Sequence, residues 1–186
     1  MSTPEILAAP VLRAVSGLGA GGVVLIDGPS GAGKSTLADV LLALWPAVGI
    51  GVRPTLVRLD DIYPGWSGLD AAIKHLSEHV LAPRRAGGLA AWQRYDWERG
   101  EPAEWHPVDP GHPLIVEGCG ALSSAHVGLS DIRVWLRADD ALRKQRALAR
   151  DGEMFRSHWD QWQSDWLAYR ERETPERWAT HTLTAH

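Results

Sequence analysis

The chain has no asparagine, one cysteine (Cys119), one phenylalanine (Phe155) and three lysines (Lys34, Lys74, Lys144) in 186 residues. A single cysteine excludes an internal disulfide and any multi-cysteine zinc site. Without asparagine, every motif that requires one is excluded. No apolar run approaches the ~20 residues that span a bilayer, and Leu41 to Trp45 is typical of the longest. The N-terminal residues lack a basic stretch followed by an apolar core and a small-residue cleavage site, so no export signal is expected. Basic residues number 19 against 23 acidic ones, a net charge of −4, which gives no electrostatic basis for nucleic-acid binding. The expectation is a soluble cytoplasmic protein with neither a membrane nor a nucleic acid as partner; self-association is left open. With 45% hydrophobic and 23% charged residues, the composition is that of an ordinary globular chain, and the length suits one domain over 1–186.

What is present is a regular alternation. Val23 to Ile26 reads as a strand, followed by a glycine-rich loop and a helix from about Lys34 to Leu44 that Pro46 is expected to stop. Further strands are expected at Thr55 to Leu59, Leu114 to Val116 and Ile132 to Leu136, with a short last one at Ala179 to Leu183. Helical patterns cover residues 5–16, 69–81 (with Pro83 as terminator), 138–150 and 158–172. Trp92 to Pro113 reads as a turn-rich, tryptophan-rich stretch. Short apolar strands alternating with helices predict an α/β fold, three layers (α/β/α) around a central parallel sheet of about five strands. Ligands in such sheets bind beyond the carboxyl ends of the strands.

Gly28-Pro29-Ser30-Gly31-Ala32-Gly33-Lys34-Ser35-Thr36 matches G-x-x-x-x-G-K-[ST], and it sits between a strand and a helix as that motif requires. Glycines let successive backbone N–H groups curl around phosphate oxygens, and the helix N-terminus adds a favourable dipole. Gly28, Ser30, Gly31, Ala32, Gly33, Lys34, Ser35 and Thr36 are therefore the expected cradle of a nucleoside triphosphate. Lys34 would reach the β- and γ-phosphates, and the Ser35 hydroxyl would be a ligand of Mg²⁺. A guanine-reading Asn-Lys-x-Asp element is impossible here. Leu122-Ser123-Ser124-Ala125 does not supply the L-S-G-G-Q signature of transport ATPases. The third sheet strand ends in a lone Glu117, against the acidic pair of motor ATPases. The small-molecule kinase branch of P-loop NTPases remains.

The second strand ends in Asp60-Asp61-Ile62-Tyr63. A carboxylate there faces the γ-phosphate, where a base must sit to accept a hydroxyl proton. Together with Tyr95-Asp96-Trp97, Val116-Glu117-Gly118 and the arginines Arg143, Arg146 and Arg150 before Asp151, this series resembles the uridine kinase family in the same order, over roughly residues 22–175. The resemblance implies a nucleoside kinase-like P-loop fold using ATP and Mg²⁺ to phosphorylate a small-molecule hydroxyl, with a uridine- or cytidine-like nucleoside first. It implies Asp60 as catalytic base, Glu117 with Ser35 at the metal, and Arg146 and Arg150 as lid arginines that act in catalysis with Lys34. It also implies Asp60, Tyr63, Tyr95, Asp96 and Trp97 beside the acceptor. Asp61 exchanges with Asp60 as a candidate base. The corresponding regions are an N-terminal helical extension over 1–21, an acceptor region over about 61–112 and a lid over about 139–158. Glu98 to Trp105 and the short Gly152-Glu153-Met154-Phe155 depart from the family pattern. The loop also resembles that of cytidylate kinase, so a nucleoside monophosphate kinase, a sugar or antibiotic kinase, and a non-catalytic nucleotide-binding regulator are the alternatives.

His75-Leu76-Ser77-Glu78-His79 spells H-x-x-E-H, but no third zinc ligand accompanies it, and a polar helix face is the simpler reading. Gly17 to Gly22 matches G-x-G-x-x-G yet precedes a strand, which excludes a dinucleotide fingerprint. Trp159, Trp162 and Trp166 recur at helical spacing and read as core. Trp92, Trp97 and Trp105 are the candidates for stacking on an aromatic acceptor. Cys119 reads as a small buried residue.

Overall fold

The computed structural model describes residues 3–48 and 51–185. Five parallel strands form the central sheet: β1 (Val23–Asp27), β2 (Thr55–Arg58), β5 (Leu114–Glu117), β6 (Ile132–Ala138) and β7 (His181–Ala185), in the order β2-β5-β1-β6-β7. Every residue of β1 is buried, as expected of a central parallel strand covered on both faces. Its side chains alternate between two cores. Val23 and Leu25 join one with Val57, Leu114 and Val116, and Val24 and Ile26 join the other with Ile115 and Val134. Helices α1 (Thr3–Val15) and α2 (Lys34–Val48) cover the second core through Ala8, Val11, Leu12, Leu37 and Leu41. Helices α3 (Leu69–His75) and α5 (Asp140–Glu173) lie over the first, and the short helix α4 (Ala82–Arg85) follows α3 in the chain.

Four sequence expectations require correction. Helix α2 runs on to Val48, past Pro46, at the cost of one backbone hydrogen bond near its end. Pro83 does not terminate the helical run either. A π-helical turn over Leu76–Leu81 resets the hydrogen-bond pattern, and Pro83 falls at the start of α4, where its missing N–H is tolerated. Residues 92–113 are not mainly turns: β3 (Ala90–Asp96) and β4 (Glu101–Val108) form an antiparallel hairpin. Finally, the two helices expected around 138–172 are one element, α5, broken only at Gly152 (φ 65°, ψ −148°), a conformation open to glycine.

The buried Asp27 at the end of β1 ties these parts together. Its carboxylate accepts from the amides of Gly28 (2.6 Å), Gly120 (3.3 Å) and Leu122 (2.9 Å) and from the Tyr169 hydroxyl of α5 (2.7 Å). Burial raises the Asp27 pKa, while the Tyr169 hydroxyl, the Leu122 and Gly28 amides and the Lys34 charge pull it back. Burial also lifts the Tyr169 phenol well above its ordinary range, keeping it a donor. A carboxyl whose folded pKa is raised adds stability at pH values below its unfolded pKa and loses it as pH rises through the folded pKa. The ionised form, which burial disfavours, therefore depends on its donors. Tyr169→Phe is expected to lower unfolding free energy by about 1.5–3 kcal/mol, the worth of a hydrogen bond to a charged group. The deficit shrinks as pH falls through the raised Asp27 pKa; urea titrations at several pH values check this.

Candidate active site

The carboxyl ends of β1, β2 and β5 deliver Gly28, Asp60 and Glu117 to one edge of the sheet. The loop after β1 is shaped by close approach. At Gly31 (φ 80°) an added Cβ would lie 1.9 Å from the Arg143 carbonyl oxygen of α5, and at Gly28 2.3 Å from that of Leu136. Both positions exclude any side chain. Lys34 is buried, and its Nζ donates to the carbonyls of Gly28 (2.9 Å) and Pro29 (3.1 Å) and lies 3.6 Å from Cys119 Sγ. Burial depresses the Lys34 pKa, but the anionic groups around it, Glu117, Asp60 and Asp27 among them, outweigh that effect and raise it. The lysine is a fixed cation at neutral pH.

Glu117 is 3% exposed, and burial raises its pKa against the pull of Lys34, the Ser35 hydrogen bond and Arg58. Arg58 bridges it (3.1 Å) to Asp39 (2.7 Å). The Ser35 hydroxyl and the Glu117 carboxylate thus form a pair of hard oxygen donors beside the lysine. This donor set fits Mg²⁺, which takes one or two protein oxygens and leaves its other positions to water and phosphate.

Two cavities adjoin here. One, of about 210 Å³, is lined by the phosphate loop with Asp60, Glu117, Cys119, Arg146 and Arg150. The other, of about 290 Å³, is walled by Tyr63, Trp66, Trp97, Phe155 and Trp162, with Asp60, Arg150, Asp151 and Met154 at its polar and open parts. Ser30, Asp60 and Arg150 belong to both. The Arg150 guanidinium grips Asp151 through two contacts of 2.7 Å and reaches within 3.9 Å of Asp60. Asp60 sits in a 3₁₀ turn, Leu59–Asp61, and its backbone carbonyl accepts from Trp97 Nε1 (2.9 Å). Asp61 borders neither cavity. Burial, then the neighbouring Asp60, raise its pKa.

Among the expected acceptor residues, Asp60, Tyr63 and Trp97 border the aromatic cavity; Tyr95 and Asp96 do not. Tyr95 packs edge-on against Trp97 at 5.6 Å, and the Asp96 carboxylate caps the hairpin turn by accepting from the amides of Glu98 and Arg99. β3 ends at Asp96, so Trp97 lies in the hairpin turn, off the strand that carries Tyr95 and Asp96. The Tyr63 hydroxyl is committed to the Cys119 carbonyl (2.8 Å), leaving its ring as the contact surface. Trp92 and Trp105 also lie elsewhere: Trp92 stacks on His106 at 4.3 Å, and Trp105 packs against His75 and His79. His75 Nε2 accepts from the Gln93 amide, holding the helix to the hairpin. Arg143 is buried against Trp159 and Trp166 and bound to Asp140 and Gln163, a packing role.

Sequence reasoning missed Trp66, Phe155, Met154, Asp151 and Arg58. Trp66 stands three residues after Tyr63, in a tight turn where a Cβ on Gly68 would meet Pro64 at 2.6 Å, and that turn chemistry was the available signal. Phe155 follows Gly152 by three residues and stacks on Trp66 at 5.3 Å. Trp162 is buried, as its spacing suggests, yet it also reaches the site, where its Nε1 donates to Ser30 Oγ (2.9 Å).

No protein-family model matches the chain. A curated relative, the cytochrome c biogenesis ATP-binding export protein CcmA of Paracoccus denitrificans, is 32% identical over 108 residues, 45% of this chain. The chain aligns with about half (51%) of that relative's length. Solved structures match along nearly the whole chain. A possible uridine kinase from Bacillus stearothermophilus superposes with a TM-score of 0.67 at 17% identity, covering 96% of this chain and 98% of the other. A putative fructose transport system kinase from Silicibacter gives 0.57 at 18% identity, covering 98% and 99%. Among the described residues no helix is long and apolar enough to cross a membrane. The chain has the fold of the uridine kinase-like P-loop kinases.

Proposed function

We propose that this chain transfers the γ-phosphoryl group of ATP to a hydroxyl of an uncharged, ring-bearing small molecule, with a nucleoside as the first candidate. The observation that carries this reading is the position of Asp60 in the wall common to the phosphate cavity and the aromatic cavity. An acceptor lying against the tryptophans presents its hydroxyl between Asp60 and the phosphate loop. Asp60 accepts the hydroxyl proton as the oxygen attacks phosphorus. Lys34, once its ammonium exchanges the Gly28 and Pro29 carbonyls for phosphate oxygens, stabilises the charge spread over the transferring group, and Arg146 and Arg150 act from the other side. Ser35 and Glu117 would hold Mg²⁺, which when bound neutralises charge on the β- and γ-phosphates.

The acceptor cavity has its own charge logic. Among the described residues its one cation is Arg150, which is already paired with Asp151 and faces Asp60. Two carboxylates against one committed guanidinium disfavour an acceptor that carries a phosphate or carboxylate of its own. This favours a nucleoside over a nucleoside monophosphate or a sugar acid, and the tryptophans favour a planar ring.

The direct test is ADP release from ATP and Mg²⁺ in the presence of panels of nucleosides, nucleoside monophosphates, sugars and amino alcohols. Stimulation by uncharged ring compounds is expected. Stimulation by monophosphates alone overturns the acceptor class, and ATP binding without any stimulated turnover favours a nucleotide-binding regulator. With the best acceptor in hand, Lys34→Ala is expected to lower kcat at least about 100-fold, the scale of a lost transition-state donor, with an unchanged circular dichroism spectrum. Asp60→Asn should lower kcat by at least about 100-fold while ATP still binds in calorimetry, and Asp61→Asn should be mild. Trp66→Ala should raise the acceptor KM about 5- to 100-fold with little change in KM for ATP, from the ~1–3 kcal/mol of one stacking contact. The Tyr95→Phe enzyme should keep both KM values.

A further inference from the structure

A separate cavity of about 200 Å³ lies at the amino ends of the strands, opposite the active site. Gly21 and Val23 at the start of β1, Pro110 before β5, Leu129 before β6, and Arg84 and Arg85 of α4 border it. None of these residues borders the phosphate or the aromatic cavity. The length of β1, about 13 Å at ~3.3 Å per residue, separates Val23 from Asp27 at the active-site end. We propose that this cavity is a second anion site, which takes a phosphate-sized oxyanion beside Arg84 and Arg85. The proposal does not depend on the reading of the chain as a kinase.

Arg84 carries the argument. It is only 7% exposed, and a guanidinium keeps its proton even when buried. Its Nη1 donates to the Asp109 carbonyl and its Nη2 to that of His112, while its Nε is buried without a partner. Carbonyl dipoles satisfy donors but bring no opposite charge. Burial lowers the Arg84 pKa, and the charges of Asp109 and Asp131 oppose that from a distance. Both carboxylates are engaged elsewhere: Asp109 Oδ1 accepts from the Gly111 amide and Asp131 Oδ2 from that of Val23, each at 2.8 Å. A buried charge with an unmade hydrogen bond and no bonded counter-charge is costly, and an anion in the cavity would supply the counter-charge. Arg85, the next residue, borders the same cavity and, among the described residues, has neither a hydrogen bond nor an ion pair. Two guanidinium groups on consecutive residues suit a doubly charged tetrahedral anion better than a carboxylate, which one guanidinium engages with both oxygens. The volume is below the ~300 Å³ at which sites for larger ligands begin, so it suits phosphate or a small phosphomonoester and excludes a nucleotide. The location gives the anion a structural consequence. Helix α4 leads into β3 and the segment of Asp109 to His112 leaves β4, so the site stands at the base of the hairpin.

The experiment titrates inorganic phosphate by calorimetry into the full chain carrying Lys34→Ala, so that the phosphate loop does not compete. Saturable binding of one phosphate per chain is expected. On this background Gly21→Asp sets a carboxylate on the cavity rim, at a position where an added Cβ would meet nothing within 4 Å and φ is not positive. Gly21→Asn has the same shape without the charge. Gly21→Asp should weaken phosphate binding at least about 10-fold, Arg85→Ala at least about 5-fold, and Gly21→Asn less than about 3-fold, with circular dichroism spectra unchanged. The source of the anion follows from a parallel titration with glycerol phosphate: tighter binding of the ester identifies a phosphorylated metabolite, and tighter binding of phosphate the free ion. The proposal is overturned if the Lys34→Ala chain shows no saturable phosphate binding, an adventitious ion only. It is equally overturned if Gly21→Asp and Arg85→Ala bind as their parent does, or if Gly21→Asn weakens binding as much as Gly21→Asp.

Discussion

A buried carboxylate at the end of the central strand is the constraint on which the site's geometry depends. Asp27 collects donors from its own loop, from the loop after β5 and from α5. These are the three segments that carry Lys34, Cys119 with Glu117, and Arg150. An acceptor-only group with no access to water must find all its donors within the protein, so the segments that supply them cannot drift apart without exposing or orphaning it. The same closeness explains why glycine is required where α5 crosses the phosphate loop. The Arg143 carbonyl sits where a Cβ on Gly31 would be. The helix that carries Arg146 and Arg150 is thereby set against the loop backbone by packing.

Helix α5 divides at Gly152 into two parts with different work. Before the break it carries Arg146 and Arg150; after it, Phe155, Trp159, Trp162, Trp166 and Tyr169 are buried against the sheet and the turn after β2. The second part is fixed by area, since each large aromatic ring removes 150–250 Å² from water. It is also fixed by specific contacts: Trp162 meets Tyr63 edge-on at 4.8 Å and donates to Ser30. The break lets the arginine-bearing turn take a direction of its own while the aromatic part stays in the core. Asp151, next to the break, holds Arg150 in both its contacts.

The parts legible in the sequence were those whose signals are local. A fully buried parallel strand reads as an apolar run, and a phosphate loop reads from nine consecutive residues, so β1, the loop and the start of α2 were visible at once. The hairpin was not. Pro102 and Pro107 stand in β4 and argue against a strand, yet β4 pairs on one side only, opposite Tyr95 and Ala91, and an edge strand tolerates proline. Pro83 misled for a related reason, because the π turn before it removes the hydrogen bond that it would have broken. The aromatic cavity was half legible. Trp97 could be placed because Tyr95-Asp96-Trp97 carries the family resemblance, whereas Trp66, Phe155 and Trp162 meet only through tertiary packing. Trp92 and Trp105 looked equivalent to Trp97 in sequence, but the pleat and the hairpin turn them toward His106, His75 and His79.

Charge explains why these pieces work together on the proposed reading. The phosphate end of the site is crowded with carboxyl groups: Asp27, Asp60 and Glu117 all act on Lys34. A triphosphate brings several more negative charges into the same small volume, so binding needs cations that the neighbouring acids do not already neutralise. Asp27 and Glu117 meet part of this demand at the start, because their charge is held by fixed donors and by Arg58. Asp60 differs: its side chain is 57% exposed, and its carboxylate lies 3.9 Å from the tip of Arg150. Of the three acids it alone is both open to an acceptor and weakly committed, and a general base must be both. Asp61, one residue on, is drawn under the hairpin by the 3₁₀ turn. Choosing between two adjacent aspartates thus depends on a single turn of backbone whose carbonyl is held by Trp97.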